Sequence, residues 1–162
     1  MPARSPLPSG QARRNRLSIV IVAWLVAGTA DILVAVTYYP LTAAVTPVGI
    51  LRGIASGLLG AAAFSGGYAT AALGLVCHYA IALIWTLVFF YIYPRLAFLA
   101  RSVPLTAVLY GTFVSLVMTF VVLPLSRVGP RAFHASAFAV ATVILWFTIG
   151  LPLALFARRR AG

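Results

Sequence analysis

Four long apolar runs, separated by short polar or proline-bearing stretches, set the plan of the chain: Leu17 to Tyr38, Tyr68 to Tyr93, Pro104 to Leu125 and His134 to Phe156. The shortest is 22 residues. As a helix it would extend about 33 Å, enough to cross a hydrocarbon core of about 30 Å. The pattern predicts an all-α membrane protein, a bundle of four transmembrane helices. Tyr38, Tyr39 and Pro40 are expected to end the first span at an interface, where aromatic side chains collect. Phe89, Phe90, Tyr91 and Tyr93 form a second belt, stopped by Pro94 and Arg95. Along the third span Ala107, Gly111, Ser115 and Thr119 recur every four residues, a small and weakly polar seam suited to helix contact. The fourth span carries Thr142, Trp146 and Gly150 on one side, and Pro152 is placed to kink it.

Between the first two spans lies a stretch of another kind, from Thr46 to Gly60. Thr46 suits an N-cap and Pro47 the first helical turn. From Pro47 to Gly60 is 14 residues, about 21 Å of helix, too short to span. An additional short helix is expected, interfacial or re-entrant. At 100° per residue Gly49, Gly53, Gly57 and Gly60 share one side with Ser56 beside them. Glycine costs a helix about 1 kcal/mol against alanine in water, so the stripe points to a close approach. The approach is to another helix, or to a ligand or lipid headgroup cradled on the glycine floor with Arg52 at its rim.

Composition removes the soluble alternative. The chain is 63% hydrophobic over 162 residues, with a mean hydropathy of +1.07, more apolar surface than a water-soluble domain of this size can cover. The net charge of +11 comes from 12 arginines and one aspartate. These arginines flank the apolar runs and form no single basic face with interleaved aromatics, so they do not point to nucleic acid. They read as topology signals. Nine lie on one side (Arg4, Arg13, Arg14, Arg16, Arg95, Arg101, Arg158, Arg159, Arg160) and three on the other (Arg52, Arg127, Arg131). The positive-inside rule then puts both termini in the cytoplasm. Residues 1–16, with three prolines and four arginines, are expected to be a disordered cytoplasmic tail, and 17–162 a single transmembrane domain. A cleaved signal peptide ending near Gly28-Thr29-Ala30 is the competing reading. The apolar run continues through Ile32 to Val36, which favours a retained anchor. The lone Cys77 rules out an intrachain disulfide and any multi-cysteine metal site.

Asp31 is the only acid in the chain, and it falls inside the first span. It lies about 10 Å below the outer end of that helix, and His78 about 15 Å below the same end of the second. Ala27 and Ala35 flank Asp31 at helical spacing, and Gly74 and Ala82 flank His78, so the backbones can approach and the pair is expected to meet. A charge at membrane depth costs about 2.5–3.5 kcal/mol on insertion scales, so Asp31 is expected to be sheltered among helices and, if unpaired, to stay protonated. Three roles compete: a structural hydrogen bond, a proton or ion relay through Asp31 and His78, and recognition of a basic helix of another protein. Haem or metal fits poorly, because His134 is about 10–15 Å shallower than His78 and the adjacent Cys77 points away from it. No cofactor is expected. No Ser-His-Asp order or Gly-x-Ser-x-Gly elbow supports covalent catalysis. Arg52, Arg127, Arg131 and His134 are candidate contacts for an anionic headgroup, or simply solvated.

Gly28-Thr29-Ala30-Asp31-Ile32, Ile54-Ala55-Ser56-Gly57-Leu58-Leu59-Gly60, Phe64-Ser65-Gly66-Gly67, His78 and Leu123-Pro124-Leu125-Ser126 together resemble a widespread group of small uncharacterised bacterial inner-membrane proteins. The order of spans is faintly similar to YagU-like proteins. The resemblance implies a multi-pass protein of the bacterial inner membrane and carries over no catalytic residue. The expectation is a non-enzymatic protein with a structural, accessory or lipid-facing role, its partners the bilayer and either further copies of itself or another membrane protein. A proton-coupled transporter or channel using Asp31 and His78 is the alternative, although the spans show no persuasive inverted repeat. A haem-binding or enzymatic membrane protein is the third.

Overall fold

The computed structural model describes residues 9–130 and 132–161. Among these residues there is no strand, and five helices are long and apolar enough to cross a membrane. We label them α1 (Ser9–Thr42), α2 (Pro47–Leu59, which reaches 18 residues only with the turn that continues it to Phe64), α3 (Gly67–Ile92), α4 (Val103–Leu125) and α5 (residues 135–161). A 3-10 turn, Gly60–Phe64, extends α2, and two more, Tyr93–Arg95 and Ala97–Arg101, join α3 to α4.

Helix boundaries follow local chemistry. The Thr46 hydroxyl accepts the Gly49 N–H at 3.0 Å and Pro47 opens the first turn, so α2 starts where its cap is. Ser102 and Pro104 open α4 in the same way. Two boundaries differ from the hydropathy reading. Helix α1 is not stopped by Pro40 but runs through it to Thr42. A proline so near the end forfeits one backbone bond, the one to the Val36 carbonyl, and beyond it the Thr42 hydroxyl donates to the Tyr38 carbonyl at 3.0 Å. At its other end α1 begins at Ser9. The tail expected to be disordered over 1–16 is therefore helical from Ser9 on, because an established helix propagates readily through good helix formers such as alanine and arginine. The rest of that tail, residues 1–8, lies outside the described residues.

Prolines also shape the interiors of α4 and α5. Each contains one π turn, Met118–Val122 and Trp146–Gly150, and each turn ends two residues before a proline, Pro124 or Pro152. Proline has no N–H for the carbonyl four residues back, and its ring crowds that carbonyl. The helix widens instead: Leu123 N–H reaches Met118 and Leu151 N–H reaches Trp146, five residues back in each case.

Residues near the start of α1 (Ile19, Val20, Ala23) cluster with the end of α3 (Phe89, Tyr93), the first half of α4 (Tyr110) and the end of α5 (Leu153, Ala157). The four helices are thus successively antiparallel. Aromatic edges fill this end, with Tyr110 against Phe89 at 4.8 Å and its hydroxyl donating to the Trp85 carbonyl at 2.5 Å. The opposite end holds the end of α1, all of α2 and the start of α3. Outward-facing surface is apolar, including Leu25 and Leu33 of α1, Val76 and Ile84 of α3, and Phe147 and Leu155 of α5. Hydrocarbon gives no hydrophobic drive for helices to associate, so contact depends on small residues and interhelical hydrogen bonds.

Helices α4 and α5 supply both. The seam of small residues on α4 meets the Thr142–Trp146–Gly150 side of α5 as a ladder. Ser115 bonds Thr142 at 2.7 Å, Gly111 lies under Trp146, and Ala107 lies against Gly150. Thr142 spends its proton on the Phe138 carbonyl, so Ser115 is the donor between them. The Trp146 indole N–H adds a bond of 2.8 Å to the Thr112 hydroxyl.

A cavity around Asp31 and His78

A cavity of about 320 Å³ lies where the five helices meet. Helix α1 contributes Asp31, Ala35 and Tyr39, α2 contributes Ile50 and Ile54, and α3 contributes His78, Ile81 and Trp85; Met118 of α4 and Ile144 of α5 close the far wall. The lining is almost wholly apolar, and Asp31 and His78 are its ionisable residues apart from the Tyr39 phenol.

Sequence spacing brings Asp31 and His78 to the same cavity, but not to each other. Among the described residues no hydrogen bond joins them. Asp31 Oδ1 accepts the Thr148 hydroxyl at 2.8 Å, and that hydroxyl is shared with the Ile144 carbonyl at 3.0 Å. The residue opposite Asp31 is therefore on α5, not α3. His78 Nε2 lies 2.8 Å from the Gly28 carbonyl. A carbonyl only accepts, so Nε2 carries a hydrogen and donates it. Gly74, expected to face α1, packs instead on Leu51 of α2, and Gly28 makes the close approach between α1 and α3. A Cβ on Gly28 would come within 3.2 Å of both Ala82 and Tyr79, so α1 and α3 approach closely enough for a side chain to reach across to backbone. Next to it, the Trp24 indole donates to the Tyr79 carbonyl and Thr29 bonds the Tyr79 hydroxyl, each at 2.8 Å. The α1–α3 contact is thus held by three polar links that spare the Asp31 carboxylate.

Glycine is used differently from the sequence expectation. The tightest backbone approaches are not on the α2 stripe. A Cβ on Gly74 of α3 would fall 1.9 Å from the Leu51 carbonyl oxygen, and one on Gly150 would fall 2.2 Å from that of Ala107. On the stripe itself, Gly53 has nothing within 4 Å of its Cβ position, and Gly49 meets only Thr46 and Val45 side chains. Gly57 and Gly60 lie near the loop after α4. The Gly57 carbonyl accepts the Arg127 N–H at 2.9 Å, and Gly60 is required for its own backbone, with φ at +64°. Ser56 is buried and turns its hydroxyl back to the Gly53 carbonyl at 2.6 Å. Helix α2 therefore packs on α3 through its Leu51 side, which sets Ile50 and Ile54 into the cavity wall.

Arg52 is tied to backbone. Its Nε donates to the Gly67 carbonyl at 3.0 Å and Nη1 to that of Phe64 at 3.4 Å, bracing the turn between α2 and α3. Arg127 and His134 are exposed, and His134 is the N-cap position of α5. Among the described residues no contact draws Arg52, Arg127 and His134 together; Arg131 lies outside them. Of the functional side chains, Thr148 is the one that sequence did not single out. Nothing separates it from the other span threonines except Pro152, whose missing N–H deprives the Thr148 carbonyl of its usual donor.

Among the described residues no three His, Cys, Asp or Glu side chains converge on a point. What the arrangement offers is a largely apolar chamber with a carboxyl group and an imidazole in its wall, a form common to small-molecule sites of about 300–1,000 Å³. No protein-family model, curated protein or solved structure matches the chain.

Proposed function

We propose that this chain is a small polytopic membrane protein that holds a membrane-soluble small molecule between its helices, a lipid-interacting role without covalent chemistry. The observation that carries the reading is the chamber at the meeting point of all five helices, apolar but for Asp31, His78 and the Tyr39 phenol. A bundle that served only as scaffold would gain from filling such a volume, since each lost contact weakens packing.

The architecture we propose is four spans, α1, α3, α4 and α5, with α2 as a re-entrant or interfacial helix. It is supported by the antiparallel order of α1 and α3, which requires α2 to leave and return on one side. It is supported also by the bond between Gly57 and Arg127, which ties α2 to the loop at that same end. Both termini then share the arginine-rich side, the cytoplasmic face of a bacterial inner membrane by the positive-inside rule.

The test is extraction straight from membranes into lipid nanodiscs, followed by native mass spectrometry. The wild type should carry a stoichiometric small-molecule adduct. Ile54→Trp, which fills the chamber from α2, should fold with unchanged helicity and lose the adduct. A wild type without adduct, or an adduct indifferent to Ile54→Trp, would count against the reading.

A second reading is proton-coupled transport. The observation favouring it is that Asp31 and His78 border one chamber while neither is bonded to the other. Proteoliposomes should then show a proton flux abolished by Asp31→Asn; flux equal to that of empty liposomes would sink it.

A further inference from the structure

Asp31 is the only acid in a chain with 12 arginines, yet among the described residues no cation pairs with it. Its protein partner is the Thr148 hydroxyl, on Oδ1. Among the described residues Oδ2 has no hydrogen bond. Among the described residues no buried side-chain nitrogen or oxygen lacks a partner, so Oδ2 is not sealed within protein, and Asp31 borders the chamber. The same holds for His78. Its Nε2 hydrogen is committed to the Gly28 carbonyl, and among the described residues Nδ1 has no hydrogen-bond partner. Asp31 and His78 thus both border the chamber, each with one side-chain atom that has no hydrogen bond among the described residues.

We propose that the chamber binds a lipophilic primary or secondary amine in its ammonium form, Asp31 serving as counter-ion and His78 Nδ1 as second acceptor. The proposal rests on the small-molecule reading above and names its ligand class. The other classes fit worse. An anion would meet the carboxylate in a low-dielectric site. A purely apolar molecule would cover Oδ2 and leave it unsatisfied, which is costly. A quaternary ammonium would answer the charge but has no N–H for either acceptor. An ammonium with two or more N–H groups satisfies both, and its hydrocarbon body suits walls made by Ile54, Ile81, Ile144 and Trp85. The ring of Trp85 adds a face that attracts cations.

The experiment compares two molecules of one shape, 1-adamantylamine and 1-adamantanol. Each is titrated calorimetrically into the full chain in phosphatidylcholine nanodiscs, with empty discs subtracted. The amine should bind about tenfold or more tightly than the alcohol, the worth of one charge-assisted hydrogen bond. Asp31→Asn keeps an oxygen for Thr148 and should bring the amine down to the affinity of the alcohol, whose own binding shows that the variant is folded. Should that variant not fold, the wild-type comparison alone decides. Equal affinities in the wild type, or a preference that survives Asp31→Asn, overturn the amine assignment and leave the chamber reading intact. Binding of neither molecule overturns both.

Discussion

The Thr148 hydroxyl donates to Asp31 Oδ1 at 2.8 Å across a sequence separation of 117 residues, and so fastens the lone carboxylate of the first helix to the π turn of the last. Thr148→Val removes the donor while keeping the shape. It should destabilise the protein by about 1–3 kcal/mol, because a buried acceptor loses its partner. Thr148→Ser should recover most of that loss. Unfolding in mixed micelles with increasing dodecyl sulfate reads the difference, and equal stability of the valine variant would show the bond to be idle.

Three glycine-to-alanine changes should separate packing from helix propensity. Gly74→Ala and Gly150→Ala drive a methyl into a facing backbone carbonyl at 1.9 Å and 2.2 Å. Backbone cannot step aside as a side chain can, and each should cost about 2 kcal/mol or more. Gly53→Ala meets nothing within 4 Å and should be neutral or stabilising by up to about 1 kcal/mol. Thermal melts of the three in one detergent make the comparison. A Gly53→Ala loss as large as the others would mean that a surface covers the stripe in the membrane.

How much of this was legible in the sequence depends on which force fixed each element. The long apolar runs are set by the demand that backbone in hydrocarbon bond internally, so their positions could be read directly. The seam on α4 and its counterpart on α5 could also be read, because four-residue spacing of small side chains has one geometric meaning. That Asp31 and His78 border one cavity is compatible with counting along the helices. Their actual partners did not. A backbone carbonyl such as that of Gly28 has no sequence signature, and Thr148 is one threonine among several. The α2 stripe misled for a related reason: a glycine records that nothing projects from the helix, not that something is packed against it. Gly74, whose Cβ would meet the Leu51 carbonyl, marks the closer contact.

Arg52→Ala should loosen the turn between α2 and α3, where the guanidinium now donates to the Gly67 and Phe64 carbonyls. Two bonds of about 0.5–1.5 kcal/mol each are at stake. Hydrogen exchange should rise in residues 60–70 and leave α4 and α5 unchanged. Arg52→Lys should not restore protection, because a single ammonium lacks the fork that spans both carbonyls.

Cysteine labelling distinguishes a re-entrant α2 from a fifth span. In a Cys77→Ser background, Ala43→Cys and Ser65→Cys flank α2. Both should react with a membrane-impermeant maleimide added to the outside of intact cells, and Ser102→Cys should not. Labelling of Ala43→Cys without Ser65→Cys would mean that α2 crosses.

The ladder between α4 and α5 has one consequence for assembly. Two helices lined with small residues at equal intervals can ordinarily slide by a turn and find an equivalent fit. Here the largest side chain on either seam, Trp146, sits over the one position of the α4 seam without a side chain, Gly111. A slip of one turn would drive the indole onto Ala107 or Ser115. The bulky ring therefore works as a key, permitting a single register and making this hairpin the fixed post against which the rest of the bundle is set.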